Sequence, residues 1–113
     1  MPAAKGQGDF VMTVNAKFTG NTLYIFLCGE LDEYNARSVR EQTDALLDRY
    51  PACERAVFDL SGVKFMDSAG IGFLIGRYKK LKKSAAAMYL QAPDFAADKI
   101  LSVSGIYTII PKL

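Results

Sequence analysis

The sequence contains no histidine. A Ser-His-Asp triad therefore cannot be assembled, and a zinc site would have to rely on two cysteines and carboxylates alone. No metal or cofactor is expected. Cysteine is nearly as scarce. Cys28 and Cys53 stand far apart in the chain and read as free thiols of a reducing compartment, with Cys28 packed as a small hydrophobe in its apolar run. Long hydrophobic runs are missing too. None approaches the ~20 residues that a membrane helix needs. The opening "MPAAKGQGD" also lacks the apolar centre of a signal peptide. Residues 1–9 read as a flexible lead, and the protein as cytoplasmic and without membrane contact. Finally, no charge sign dominates. Fourteen Lys+Arg against twelve Asp+Glu leave +2, too balanced to call for direct nucleic-acid binding.

What is present suits one globular domain over residues 10–113. Half of the 113 residues are hydrophobic, enough to bury a core. Residues 10–18 alternate in polarity, "TGN" at 19–21 is a turn signal, and 22–28 form a more apolar second strand. A helix follows. Asn35 is its expected N-cap, Ala36, Val39, Thr43, Leu46, Leu47 and Tyr50 share a face, and Pro51 stops it. Residues 55–60 read as a buried strand, and "SGVKFMD" as a loop. A second helix starts at Ser68, with Ile71, Leu74, Ile75, Tyr78 and Leu81 as its core stripe. Strand 86–90, a short helix with Pro93 near its start and Gly105 just past its end, and a last strand at 106–110 complete the chain. The order β-β-α-β-α-β-α-β predicts an α/β fold: one mixed sheet, opened by a hairpin, with helices packed on it.

The stretch "KFMDSAGIGFLIGRYKK" at 64–80 raises the functional question, because Ser68 sits between an acid and a glycine-dotted segment. It can be a nucleophile, a helix cap or the site of a reversible charge. A nucleophile needs a base within reach. The Lys79–Lys83 cluster lies at the far end of this helix, and "DSAG" lacks the glycine pair of a nucleophile elbow. A cap is the plain local reading, with Asp67 or Ser68 accepting from an early helical N–H. "GIGFLIG" contains G-x-G but has no Lys-Ser/Thr pair after it, so it is a weak nucleotide fingerprint. Gly72 and Gly76 stand one turn apart and flatten a helix face for close approach. At ~100° per residue, Phe73 falls opposite the core stripe and reads as an interface anchor among small residues. The basic end, "RYKKLKK", suits a helix C-terminus.

"DLSGVKFMDSAGIGFLIGRYKKLK", with "GELD" at 29–32 and "ILSVSGIYTII" near the end, resembles the STAS domain, in particular the bacterial anti-sigma factor antagonists. The resemblance runs in order over about residues 10–110. It implies a STAS-like fold and a binding regulator rather than an enzyme. The implied partners are an anti-sigma factor with serine kinase activity and a serine phosphatase. The serine after the Asp of "MDS" maps onto Ser68, which implies that phosphorylation there ends the antagonism. Ala69 departs from the many members with Ser or Thr at that place, and it leaves Ser68 as the only hydroxyl at this helix start. The expected partner-binding surface is Asp32, Asp67, Ser68, Ala69, Gly70, Gly72, Phe73 and Gly76. The same resemblance leaves two alternatives: a STAS subunit regulating a transporter or signalling scaffold, and a nucleotide-binding module.

Overall fold

The computed structural model describes residues 12–113. The lead at 1–9 and the first residues of the expected opening strand lie outside the described residues. Strands β1 (Thr13–Thr19), β2 (Thr22–Leu31), β3 (Arg55–Met66) and β4 (Ala87–Gln91) form one sheet in that order. β1 pairs antiparallel with β2, and the other two pairings are parallel, so the sheet is mixed as expected. Helices α1 (Ala36–Arg49), α2 (Ser68–Lys83) and α3 (Phe95–Ser104) connect and follow the strands.

Alternation along the strands places Leu23, Ile25 and Leu27 on the same face as Ala56, Phe58 and Leu60 and as Met88 and Leu90. That face joins Val39 and Leu47 of α1, Leu74 and Leu81 of α2, and Ala97 and Leu101 of α3 in one buried cluster. The opposite face carries Tyr24, Phe26, Val57, Asp59, Tyr89 and Gln91. There Asp59 accepts from the Ser61 amide (2.9 Å) and hydroxyl (2.6 Å) and from the Gln91 side-chain amide (2.9 Å). Burial alone would raise its pKa. Those hydrogen bonds outweigh it and hold the carboxyl below the usual carboxylate range. Cys28 lies on this face and is exposed, not packed in the core as its apolar neighbours suggested. Cys53 is buried, and burial pushes its thiol pKa up.

Three local expectations are corrected. "SGVKFM" is not a loop but the second half of β3. Gly62 lets β2 and β3 touch: a Cβ there would stand 2.9 Å from the Leu27 carbonyl oxygen. The register slips between Phe26 and Cys28 and again between Gly29 and Glu30, with Gly29 at φ +125°. Asn35 does not cap α1 with its side chain. It donates instead to the Glu30 carbonyl (2.9 Å), while Asp32 accepts from the Asn35 amide (2.9 Å). The last strand is a 3-10 turn, Ile106–Thr108, followed by a single bridge between Leu90 and Lys112. Gly105, at φ +81°, redirects the chain after α3, and Ile106 and Ile110 are then buried one helical turn apart. Asp98 pins this segment, accepting from the Tyr107 hydroxyl (2.6 Å) and Lys112 Nζ (2.9 Å).

Candidate functional site

Leu31 and Met66 are register partners at the C-terminal ends of β2 and β3. The next residues, Asp32 and Asp67, therefore leave adjacent strands side by side. Ligand sites in α/β sheets favour this end. The Asp67 carboxylate joins the two loops. One oxygen accepts from the Ala69 amide (2.8 Å) and caps α2, and the other accepts from the Glu33 amide (3.2 Å). Asp32 turns the other loop toward α1, its carbonyl oxygen accepting from the Ala36 amide at 2.9 Å. The two sequence motifs "GELD" and "MDS" thus build one surface.

Ser68 is the first residue of α2, and it is exposed. Between the two possible caps the structure chooses Asp67. The Ser68 side chain makes no hydrogen bond among the described residues. Its hydroxyl stands free at the positive end of a 16-residue helix.

The glycines behind it do different jobs. Gly70 is buried, and a Cβ there would lie 2.7 Å from Met66 Cγ and 2.8 Å from the Leu31 carbonyl oxygen. It sets how closely α2 leaves the sheet and offers no contact surface of its own, which corrects its place in the expected partner-binding set. Gly70→Ala is expected to cost about 1–3 kcal/mol, since the backbone oxygen cannot yield as a side chain can. Thermal unfolding checks this against Gly72→Ala, where the Cβ meets nothing and helix propensity should add about 0.5–1 kcal/mol of stability. Nothing lies within 4 Å of where a Cβ would stand at Gly72 or Gly76.

Phe73 is the largest correction. It is 6% exposed and packs edge-on against Phe58 with ring centroids 6.3 Å apart. The buried residues of α2 are Gly70, Phe73, Leu74, Arg77 and Leu81, while Ile71, Ile75 and Tyr78 are only half-buried. The buried stripe is rotated toward α1, because α2 is held between the sheet and that helix. Lys80 reaches Asp48 of α1 at 3.0 Å, and Arg77 reaches Asp44 at 3.1 Å.

Sequence reasoning missed the groove between these helices. It has a volume of about 250 Å³ and runs along Ala36, Arg37 and Arg40 of α1 and Ala69, Gly72 and Gly76 of α2, with Phe73 and Arg77 at its floor. Ala69 joins it directly to the Ser68 end of α2. Small residues at 69, 72 and 76 were its one sequence signal.

Among the described residues no group of three or more His, Cys, Asp or Glu side chains could hold a metal ion, and no helix is long and apolar enough to cross a membrane. Comparison with known proteins agrees with this geometry. The chain is 35% identical over 89 residues to the anti-sigma F factor antagonist of Paenibacillus polymyxa, covering 79% of this chain and 75% of that protein. Its fold matches the anti-sigma factor antagonist SpoIIAA in unphosphorylated form, with TM-score 0.73, 24% identity, and 89% and 88% of the two chains covered. It also matches the Bacillus cell fate determinant SpoIIAA in phosphorylated form, with TM-score 0.65, 24% identity, and 89% and 91% covered. Residues 13–113 match the STAS domain, and the chain belongs to the STAS domain family.

Proposed function

We propose that this protein is an anti-sigma factor antagonist, a binding regulator that engages an anti-sigma factor with serine kinase activity and so releases the sigma factor. Its contact surface is the Asp32–Asp67–Ser68 corner continued along Ala69, Gly72 and Gly76. Phosphorylation of Ser68 ends binding, and a serine phosphatase restores it. The protein acts in the cytoplasm, without cofactor, catalysis, membrane or direct nucleic-acid contact.

The observation that carries this reading is the free Ser68 hydroxyl. Asp67 does the capping, so the serine has no structural task at the helix start. A side chain without a structural role can be modified without unfolding the domain. A helix N-terminus also accommodates a phosphate, through its unpaired N–H groups and partial positive charge. The relatives' names support the partner class, and the phosphorylated SpoIIAA is of the same fold.

The test is modification in vitro. Incubation with the cognate anti-sigma kinase and ATP is expected to place one phosphate, on Ser68. Mass spectrometry that maps it to Ser61 or Ser104, or finds none, refutes the reading.

A further inference from the structure

The groove between α1 and α2 is electrostatically incomplete. Arg77 is 6% exposed at its floor, yet its Nη1 has no hydrogen-bond partner among the described residues. Its Nε lies 3.1 Å from Asp44 Oδ1, but the two are not aligned as a hydrogen bond, and both atoms are buried. Arg40 stands on the facing helix, exposed and, among the described residues, without an ion pair. Arg37 at the rim has only a loose contact with Glu41, 3.6 Å away. Burial acts most strongly against the charged form of Arg77, the Asp44 charge next acts for it, and the Arg40 charge acts against it, which leaves its pKa lowered. The Arg40 and Arg77 guanidiniums thus line the groove from its two helices, with the poorly aligned Asp44 as the carboxylate beside Arg77, and a buried N–H is left over. Orphaned buried donors are rare and costly. The Phe73 ring below, 5.4 Å from the Arg77 guanidinium carbon, gives Arg77 a cation–π contact but no acceptor.

We propose that this groove is an anion-binding subsite that takes an acidic side chain of the anti-sigma partner, docked between Arg40 and Arg77 over the open backbone of Gly72 and Gly76. The inference rests on the reading above and deepens it. Guanidinium groups bind carboxylates with paired, charge-assisted hydrogen bonds. The missing Cβ atoms at 72 and 76 let a partner backbone come close enough for a short Asp or Glu to reach the floor. A contact here would hold the partner against α2 beside Ser68.

Two experiments decide. In the first, nitrogen-15 NMR spectra of the full chain are recorded while an acetylated, amidated tetraglutamate peptide is added. Saturable shifts are expected at the Gly72 and Gly76 amides and the Arg77 Nε–H. Arg40→Glu, an exposed change that keeps the fold, is expected to weaken this binding at least about tenfold, the loss of one charge-assisted contact. Arg40→Lys should retain part of it. Small, unsaturable shifts spread over all basic side chains overturn the proposal. Saturation by inorganic phosphate but not by the peptide also overturns it, because the subsite then takes a free anion. In the second, calorimetry measures the cognate anti-sigma factor against Arg40→Glu. Weakened binding supports the subsite. Wild-type affinity overturns it while leaving the role of Ser68 untouched, and no binding even by the wild-type chain overturns both readings.

Discussion

Phe73→Ala is expected to destabilise the domain by about 3–5 kcal/mol, the usual loss when a buried phenylalanine is truncated. In a domain of this size that lowers the melting temperature by more than ~10 °C. Phe73 is 6% exposed and packs edge-on against Phe58, which is fully buried under the sheet face that all three helices cover. Its removal opens a void where α1, α2 and β3 meet. It also strips the ring from beneath the Arg77 guanidinium, whose hydrogen bonding is already incomplete. Ile71→Ala, on the half-buried flank of the same helix, should cost less. Thermal or denaturant unfolding of the two variants checks the order. A Phe73→Ala protein as stable as the wild type would mean that the ring faces solvent and that α2 is turned the other way.

Why the sequence misleads at this position is physical. The helical period of α2 is plain, but its phase is not. The buried positions 70, 73, 74, 77 and 81 include a glycine and an arginine. Neither counts as apolar, so the apparent stripe swings toward Ile71, Ile75 and Tyr78, which pack on the flank of the core. A helix held between a sheet and a second helix buries a wider arc than one apolar stripe, and part of that arc here is charged. The same limit explains the chain end. "IYTII" has strand-like composition, but Gly105 turns the backbone and Ile106 and Ile110 bury at a helical spacing. "SGVKFM" fails in the opposite sense: Gly62 marks strand contact rather than a break.

What local chemistry determines was legible. The hairpin turn, the helix stop at Pro51, the strand–helix alternation and the placing of Ser68 at a helix start all follow from short-range rules. The juxtaposition of "GELD" and "MDS" was reached only through resemblance. It rests on a parallel pairing, Leu31 with Met66, between residues far apart in sequence. The groove arginines were not legible at all, because Arg37, Arg40 and Arg77 gain a common environment only when α1 and α2 pack together.

Ser68→Asp is expected to fold as the wild type does and to lose most of its affinity for the anti-sigma factor. The fold survives because the substituted side chain lies at the N-terminus of α2, where negative charge is favoured by about 0.3–1 kcal/mol. It also survives because the cap belongs to Asp67, whose bond to the Ala69 amide is untouched. For the same reason Ser68→Ala should change stability by less than ~0.5 kcal/mol, the range of ordinary surface substitutions. Binding responds differently. The new carboxylate stands next to Asp67, and a partner closed over this corner must desolvate both. A penalty of about 3 kcal/mol weakens affinity roughly a hundredfold. The phosphorylated protein, with about −1.5 to −2 charges instead of −1, should be weakened further. Ser68→Ala should bind as the wild type does and fail to respond to the kinase. Calorimetry of the variants and of the phosphorylated protein against the anti-sigma factor reads all of these. Undiminished affinity in both Ser68→Asp and the phosphorylated protein would place the contact surface away from this helix end and refute the proposed switch.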